Sequence, residues 1–435
     1  MEILALGLFC AALILCIALD ISILYALLAG LVIFSAYVLM QHHTLRELGK
    51  MLLSGVLTVK SIILMLVLIG FLTALWRSCG TIPVIVCYAS RLIHPRTLLP
   101  MCFLLCCGVS MLMGTAFGTA ATMGTICMAM GVSMGADPVL MGGAILGGVF
   151  FGDRCSPIST SALLVSELTG TVIFDNIRKM LRRSLLPFLV TLGIYTVLGF
   201  YTSSDAAPAA LTEIFSRVLT LHPLALLPAV LILVLALFRV NVKITLTASL
   251  LCAGVLTLLL QKTPVSALPG LLLHGFAPAD AEAAVLLTGG GLFSMLRVIA
   301  IICISSSYAG IFRETELLSA VRSGLRTVSR YITPFGGMLA ASAVTSMISC
   351  NQTLAIMLTH QLCRDIAPEK EAFALDMEDS VVVLAPLVPW SIAGGVPLAS
   401  VGAPTKSLLA AFFLYLLPLY AFLMQGVRRK KAAKT

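Results

Sequence analysis

Long apolar runs separated by short polar segments dominate the sequence. Because the hydrocarbon core of a bilayer is about 30 Å thick, a helix needs about 20 apolar residues to cross it. Runs of suitable length predict helices near 2–19, 21–40, 54–75, 97–113, 120–134, 138–152, 185–201, 222–238, 244–260, 288–311, 333–349 and 405–425. Two further stretches, 153–170 and 350–402, are apolar but interrupted by Gly, Pro, Ser and charged residues. The pattern predicts an all-α polytopic membrane protein with about 11–13 transmembrane helices.

Composition and charge narrow the class of protein further. The 435 residues are 60% apolar and 11% charged, whereas a soluble domain carries about 25% charged residues. The net charge of +9 does not indicate nucleic-acid binding, because the basic residues are spread over short segments between apolar runs. The partners we expect are the lipid bilayer and a small ion or organic solute, with a homodimer left open. The 13 cysteines lie mostly in apolar runs without ligand spacing, so we expect neither a cofactor nor a resident metal ion.

The distribution of basic residues also predicts the orientation. With the N-terminus inside, the inner loops 41–50, 175–184, 239–243 and 313–332 and the tail hold 17 Lys and Arg, against 5 in the outer loops 76–97, 203–221 and 261–283. Cytoplasmic loops carry the excess of Lys and Arg in membrane proteins. We therefore predict a bacterial-type inner membrane protein with both termini in the cytoplasm.

Two parts of the chain resemble each other at an offset of 236 residues. The matching pairs are Gly55 and Gly291, Arg77 and Arg313, Thr97 and Thr333, and Ser110 and Ser346. An odd number of predicted spans separates equivalent positions, so the second copy is expected to be inverted, although so few identities could also arise by chance. Inverted repeats with interrupted helices are typical of secondary transporters. The predicted organisation is N-terminal helices 1–49, repeat 1 at 50–202, connecting helices 203–284, repeat 2 at 285–425 and a basic tail 426–435.

Small and hydroxyl-bearing residues interrupt the first repeat at 114–124. Their density predicts a weakened helix with freed carbonyl groups, to which Thr115 and Thr119 add oxygen ligands. Close packing of two helices through small residues explains the same pattern. The corresponding segment of repeat 2 contains Asn351 and Gln352, whose amides supply oxygens and donors.

A second interruption, at 147–161, contains the carboxylate that ends an apolar run. Asp153 is costly there unless it is paired, hydrated or protonated. Pro157 opens the helix, and hydroxyls surround the opening at Ser156, Ser159 and Thr160. This combination predicts a site for Na⁺ or a proton. The alternative is a structural ion pair of Asp153 with Arg154 or Lys60.

The last interrupted segment repeats the combination of acid and proline. Glu378 and Asp379 precede a proline-broken stretch that ends at Ser391, and we favour Asp379 over Glu378 as the functional group because one of the two could cap a helix. Other charged residues are candidates for counter-charges or proton carriers: Arg154, Glu167, Lys60 and Arg297.

At these motifs the sequence resembles the NhaC family of sodium/proton antiporters. The most specific piece is Gly152-Asp153-Arg154-Cys155-Ser156-Pro157-Ile158-Ser159, and further similarity lies at Gly118-Thr119, at 170–178, at Glu378-Asp379-Ser380 and at 386–390. The resemblance implies cation/proton exchange, and related members exchange malate for sodium-lactate or carry amino acids. Where the family has a second acid and two Asn residues, this chain has Thr160, Leu163 and Ser391. We therefore expect weaker Na⁺ binding or a different solute.

Two transport functions follow from these observations. The first is Na⁺/H⁺ antiport by alternating access, with Asp153 and Asp379 binding cation and proton in turn. The second is a sodium- or proton-coupled exchanger of a small organic anion or amino acid, with Arg154 as the candidate partner of an organic carboxylate. We do not expect an enzyme, because the hydrolase motifs Gly-x-Ser-x-Gly and His-Glu-x-x-His do not occur in the sequence.

Overall fold

The computed structural model describes residues 2–19, 23–92, 94–202, 208–238, 240–315, 334–364 and 369–432. Across these residues the backbone forms helices joined by short turns, and the β-structure within them is limited to an isolated bridge between Phe276 and Gly289. The prediction of an all-α fold is confirmed. The predicted repeat partner Thr333, nearly all of the predicted inner loop 313–332 and the end of the tail lie outside the described residues.

The N-terminal part of the chain folds into helices that begin at recognisable capping residues. Thr44 and Glu47 form a reciprocal capping box, and Asp137 accepts a hydrogen bond from the backbone of Val139, 2.8 Å away, just before a proline at the first helical position. The helices are α1 (Glu2–Ala18), α2 (Ile23–Met40), α3 (Leu45–Thr58), α4 (Lys60–Ser78), α5 (Thr81–Leu92), α6 (Leu98–Met113), α7 (Ala116–Thr119), α8 (Thr125–Ser133), α9 (Pro138–Arg154), α10 (Thr160–Thr169) and α11 (Ile173–Thr202), with a π-helical turn at Ala120–Gly124.

The C-terminal part contains several short helices because glycine, proline and serine interrupt it. The helices are α12 (Pro208–Val218), α13 (Leu227–Leu237), α14 (Val242–Leu260), α15 (Leu268–His274), α16 (Ala281–Leu287), α17 (Leu292–Glu314), α18 (Pro334–Ser349), α19 (Gln352–Cys363), α20 (Lys370–Glu378), α21 (Val381–Leu384), α22 (Ile392–Val401) and α23 (Phe412–Ala432). Single 3₁₀ turns lie at Pro223–Leu226, Ala385–Leu387 and Thr405–Ala410.

Several helices are long and apolar enough to cross a membrane. Six do so individually among the described residues, and the number rises to eight if each of two bent helix pairs forms one span. One of these pairs joins Lys370–Leu387 to Ile392–Val401 with a bend of 55°. Other predicted spans are divided into shorter helices. A polytopic membrane protein is confirmed, while the total of 11–13 spans stays a prediction.

The prediction of a loop at 175–184 is wrong, because this basic segment forms the first turns of α11. Lys and Arg are good helix formers, and two of these side chains form ion pairs with α20. Lys179 pairs with Glu371, and Arg183 pairs with Asp376. The helix therefore begins about 12 residues before the apolar run that was used to predict it.

The helix boundaries support the internal repeat. Helix α18 lies 236 residues after α6 at both of its ends, as Pro334 follows Leu98 and Ser349 follows Met113. The next residue is left-handed in both copies, with φ of 63° at Gly114 and 53° at Cys350. Thr115 and Asn351 then cap the following helix in an extended conformation. Element order and local geometry thus repeat together.

Beyond this point the repeat continues at an offset of 232, the separation between Ser159 and Ser391. Both serines cap a ten-residue helix, α10 or α22, that ends at a left-handed glycine, Gly170 or Gly402. At this offset Asp153 corresponds to Ala385 and not to an acidic residue. The expectation that Glu378 and Asp379 mirror Asp153 is therefore wrong, whereas the inverted orientation of the repeats stays a prediction.

Close packing of α6 against α9 fixes the end of α9. A Cβ atom on Gly148 would come within 2.7 Å of the carbonyl oxygen of Phe103, and one on Gly152 would collide with the carbonyl of Cys107. The Ser110 hydroxyl also donates to the carbonyl of Val149 at 2.5 Å. Small residues four positions apart allow such backbone contact between membrane helices. The last turn of α9 is thus held firmly at the centre of repeat 1.

Candidate functional site

The two interruptions of repeat 1 lie against each other. Helix α6 ends at Gly114, where a Cβ atom would strike the side chain of Ile158 in the loop between α9 and α10. The first interruption is narrower than predicted, because the chain leaves the helical conformation only at Gly114 and Thr115 before α7 begins. The hydroxyl of Thr119 donates to the Thr115 carbonyl at 2.9 Å, which satisfies this carbonyl within the helix. The expectation of freed carbonyls along 114–124 is therefore wrong.

Asp153 is buried in the last turn of α9 and faces hydroxyl groups. Its Oδ2 atom accepts a hydrogen bond from the Ser161 hydroxyl at 3.3 Å, and the Ser161 and Ser159 hydroxyls are 2.9 Å apart. Among the described residues, no Lys, Arg or His nitrogen lies within 4.0 Å of this carboxylate. The alternative of a structural pair with Arg154 or Lys60 is thus not supported, since Arg154 binds elsewhere and Lys60 is exposed.

Arg154, the next residue, is fully buried and contacts the second repeat. Its Nε atom donates to the backbone carbonyl of Glu378 at 3.1 Å, and Nη1 donates to the Ser184 hydroxyl at 2.5 Å. Its Nη2 atom forms an ion pair with Oδ1 of Asp379. All three guanidinium nitrogens are therefore bonded to protein groups of α11 and α20 or the residue that follows α20.

A second arginine binds the other oxygen of Asp379. Nε of Arg183 lies 2.8 Å from Oδ2 of Asp379, an ionic contact without hydrogen-bond alignment, and Nη1 of Arg183 lies 3.0 Å from Oδ1 of Asp376. Gln425 of α23 donates to the remaining oxygen of Asp376 at 2.7 Å. The network joins α9, α11, α20 and α23, and both oxygens of Asp379 lie beside a guanidinium group.

Glu378 lies beside this network with one oxygen unsatisfied. Its Oε2 atom is buried without a hydrogen-bond partner among the described residues, 3.9 Å from Nε of Arg154. The charges of Arg154, Asp379 and Asp153 all act on this carboxylate. The structure therefore brings Asp153 of repeat 1 and Glu378 of repeat 2 into one electrostatic neighbourhood.

Comparison with known proteins agrees with this arrangement of interrupted helices and buried carboxylates. A model of the Na⁺/H⁺ antiporter family matches residues 1–169 and 148–425, which together span almost the whole chain. The chain belongs to the Na⁺/H⁺ antiporter family. The resemblance predicted from the sequence motifs is confirmed, and the antiporter is a secondary active transporter of a membrane, as the members of its family are.

Relatives of the antiporter cover most of its length. The Na⁺/H⁺ antiporter NhaC of Bacillus subtilis is 28% identical over 93% of this chain and 92% of its own, and that of Alkalihalophilus pseudofirmus is 26% identical over 85% and 83%. A malate-2H⁺/Na⁺-lactate antiporter of Bacillus subtilis is 25% identical over 92% of this chain and 86% of its own.

The remaining sequence candidates of the antiporter fall into two groups. Some side chains cap helices or bond to nearby backbone, and these are Thr115, Thr119, Ser156, Asn351, Gln352 and Ser391. Others lie exposed, away from the buried Arg154 network, and these are Thr160, Glu167, Lys60 and Arg297. A role of either group in ion binding stays a prediction.

Sequence reasoning missed Ser161, Arg183, Ser184, Asp376 and Gln425 as parts of the network. Arg183 and Ser184 were assigned to a polar loop because the basic residues outweighed the helical pattern. A signal was present, since the buried residues Ile177, Met180 and Ser184 recur at helical spacing within this segment. Asp376 lies one turn before Ser380, and its partner Gln425 is 49 residues away, so tertiary structure alone connects them.

Proposed function

We propose that this antiporter exchanges Na⁺ for H⁺ by alternating access, with Asp153 as the carboxylate that binds the two ions in turn. The observation that carries the proposal is the environment of Asp153, which is buried and has hydroxyl partners but no ion pair within the described part of the chain. An unpaired carboxylate within a membrane protein is costly and marks ion or proton pathways.

The ligand chemistry around Asp153 suits both ions. Carboxylate and hydroxyl oxygens are the donors that hard cations prefer, and the Ser159 and Ser161 hydroxyls are next to the carboxylate. A proton on Asp153 removes the same buried charge and turns the group into a hydrogen-bond donor. The two ions therefore compete for one position, and this competition couples their opposite movements.

Exchange of an organic anion or amino acid is the weaker candidate. It needs a cationic group or a helix N-terminus available to the solute carboxylate, and Arg154 was the candidate for this role. All three nitrogens of Arg154 are already bonded to Glu378, Ser184 and Asp379. Bringing an organic carboxylate to Arg154 would break a buried ion pair, so this arrangement favours inorganic cation exchange.

The experiment that tests the proposal compares two Asp→Asn substitutions on the same helix. Asp153→Asn keeps the shape of the side chain and removes its charge, whereas Asp137→Asn changes an exposed cap at the opposite end of α9 that Asn can also form. In proteoliposomes with a pH-sensitive dye, Na⁺-driven proton movement should be lost in Asp153→Asn and retained in Asp137→Asn.

The thermal stability of the same preparations completes this test. Asp153→Asn should melt at or above the temperature of the unmodified protein, because neutralising an unpaired buried charge relieves its desolvation cost. Normal exchange by Asp153→Asn would remove this residue from the transport site. Uptake of an organic acid without Na⁺-dependent proton movement by the unmodified protein would favour the second candidate function.

A further inference from the structure

Two adjacent carboxylates of the second repeat have different surroundings. Asp379 has a guanidinium group beside each of its oxygens, from Arg154 and from Arg183. Glu378 has a single cationic neighbour, 3.9 Å away, and its Oε2 atom is unsatisfied within the described residues. A carboxylate held by two arginines keeps its negative charge throughout, whereas one with an open oxygen can accept a proton.

The charges of the buried network do not balance. Four carboxylates (Asp153, Asp376, Glu378 and Asp379) accompany two guanidinium groups (Arg154 and Arg183). If all six groups are ionised, two negative charges are in excess. Uncompensated charge at buried positions costs several kcal/mol per ion. Two monovalent positive charges are therefore required, and Asp153 and Glu378 are the groups with room for them.

Other elements packed against α20 do not remove this imbalance. The charged and titratable groups that they contribute are Asp153 and Arg154 from α9, Glu167 from α10, Lys179 and Arg183 from α11, and His360 from α19. Lys179 is exposed and already pairs with Glu371 on the outer end of α20. Glu167 is exposed, and His360 stacks on Phe373 with ring centroids 5.5 Å apart.

We propose that Glu378 binds a second proton in the exchange cycle, and that Asp379 instead serves as the permanent counter-ion of the two arginines. This proposal rests on the proposed function of Asp153. In the proton-loaded state both Asp153 and Glu378 are neutral acids. The carboxylates of Asp376 and Asp379 then balance the guanidinium groups of Arg154 and Arg183, so the network as a whole is neutral.

Electrostatics couples the second proton to Na⁺. The charge of Asp153 acts on Glu378, so Na⁺ on Asp153 stabilises the ionised form of Glu378 beside Arg154. Na⁺ binding therefore releases the proton of Asp153 and that of Glu378 to the same side of the membrane. Two protons leave for each Na⁺ that binds, and one net positive charge crosses the membrane in each complete cycle.

Oxygen ligands explain why Glu378 takes a proton and not a second Na⁺. Na⁺ needs several oxygen ligands, and the hydroxyls of Ser159 and Ser161 gather at Asp153. The Oε2 atom of Glu378 has no hydrogen-bonding oxygen or nitrogen around it among the described residues. A proton needs no such set of ligands, because it forms a covalent O–H bond with the carboxylate itself.

The test measures the number of protons exchanged per Na⁺. Proteoliposomes are clamped at zero membrane potential with K⁺ and valinomycin, a pH difference is imposed, and the Na⁺ gradient that stops net proton flux is determined. A tenfold proton gradient is balanced by about a 100-fold Na⁺ gradient if two protons move, and by about a tenfold gradient if one moves. We expect the unmodified protein to need the larger gradient.

Variants of neighbouring acids identify the residue responsible. In Glu378→Gln the balancing Na⁺ gradient should fall from about 100-fold to about tenfold, because one proton site is lost. In Glu371→Gln, an exposed position on the same helix, the gradient should stay at the unmodified value. Asp379→Asn should lower thermal stability, and the protein that folds should keep the larger gradient.

The outcomes separate this inference from the proposed function. Absence of any Na⁺-dependent proton movement in the unmodified protein overturns the proposed function itself. Exchange that balances at a tenfold gradient in the unmodified protein overturns the role of Glu378 while Na⁺/H⁺ exchange stands, and this result requires no variant to fold. An unchanged balancing gradient in a folded Glu378→Gln protein overturns the assignment to Glu378 as well.

Discussion

The ion pair between Arg154 and Asp379 should be the strongest single link between the two repeats. Arg154 is fully buried and Asp379 is fully buried, so each side chain depends on the other for compensation of its charge. Removing one partner of a buried pair typically costs about 3–5 kcal/mol, because the other charge stays buried. Asp379→Asn leaves Arg154 with Glu378 at 3.9 Å as its nearest remaining carboxylate.

The expected magnitude can be converted to a melting temperature. An unfolding entropy of about 2.1 cal/mol/K per residue gives about 0.9 kcal/mol/K for a chain of this length, so the loss corresponds to a decrease of about 3–5 °C. Arg154→Gln should fall at the lower end of this range, because Asp379 keeps its contact with Arg183. Thermal unfolding in detergent, followed by size-exclusion chromatography, measures the decrease.

A double substitution and a matched control test the reasoning. The combined Arg154→Gln and Asp379→Asn protein should lose less stability than the sum of the single variants, because neither partner is then left charged and unpaired. Glu371→Gln removes an exposed pair with Lys179 and should change the melting temperature by at most about 1 °C, since such pairs contribute about 0–1 kcal/mol. Additive single effects, or a control as unstable as Asp379→Asn, would refute a stabilising buried pair.

Two further predictions concern the departures from the family motif and the orientation. Thr160 and Leu163 are exposed on α10, whereas Ser159 and Ser161 face Asp153. The double substitution Thr160→Asp with Leu163→Asn should therefore alter the apparent Na⁺ constant by no more than about fivefold, the equivalent of an exposed charge worth about 1 kcal/mol; a much larger tightening, measured by dye dequenching, would place these positions at the ion. A reporter that is active only in the periplasm should stay silent when fused after Thr435, because the excess of basic residues predicts a cytoplasmic tail; reporter activity would reverse the orientation.

Hydropathy and small-residue patterns were sufficient to predict the class of fold and its interruptions. The predicted run 138–152 became α9, and the predicted break after it became the loop that ends at the capping residue Ser159. These features depend on local chemistry, namely the cost of exposing apolar or polar groups to the wrong solvent and the backbone limits of Gly and Pro. The motif around Asp153 likewise predicted the family, which the comparison confirmed.

Tertiary structure alone decided which charges are partners. The sequence placed Arg154 next to Asp153 and favoured Asp379 over Glu378, yet Arg154 reaches across to Asp379, 225 residues away. The segment with Arg183 was interpreted as a loop, but it is a helix that binds Asp379 from the other side. Pairing energies depend on distance and burial in three dimensions. Adjacent residues on a helix point in different directions, so neighbours in the chain need not be neighbours in charge.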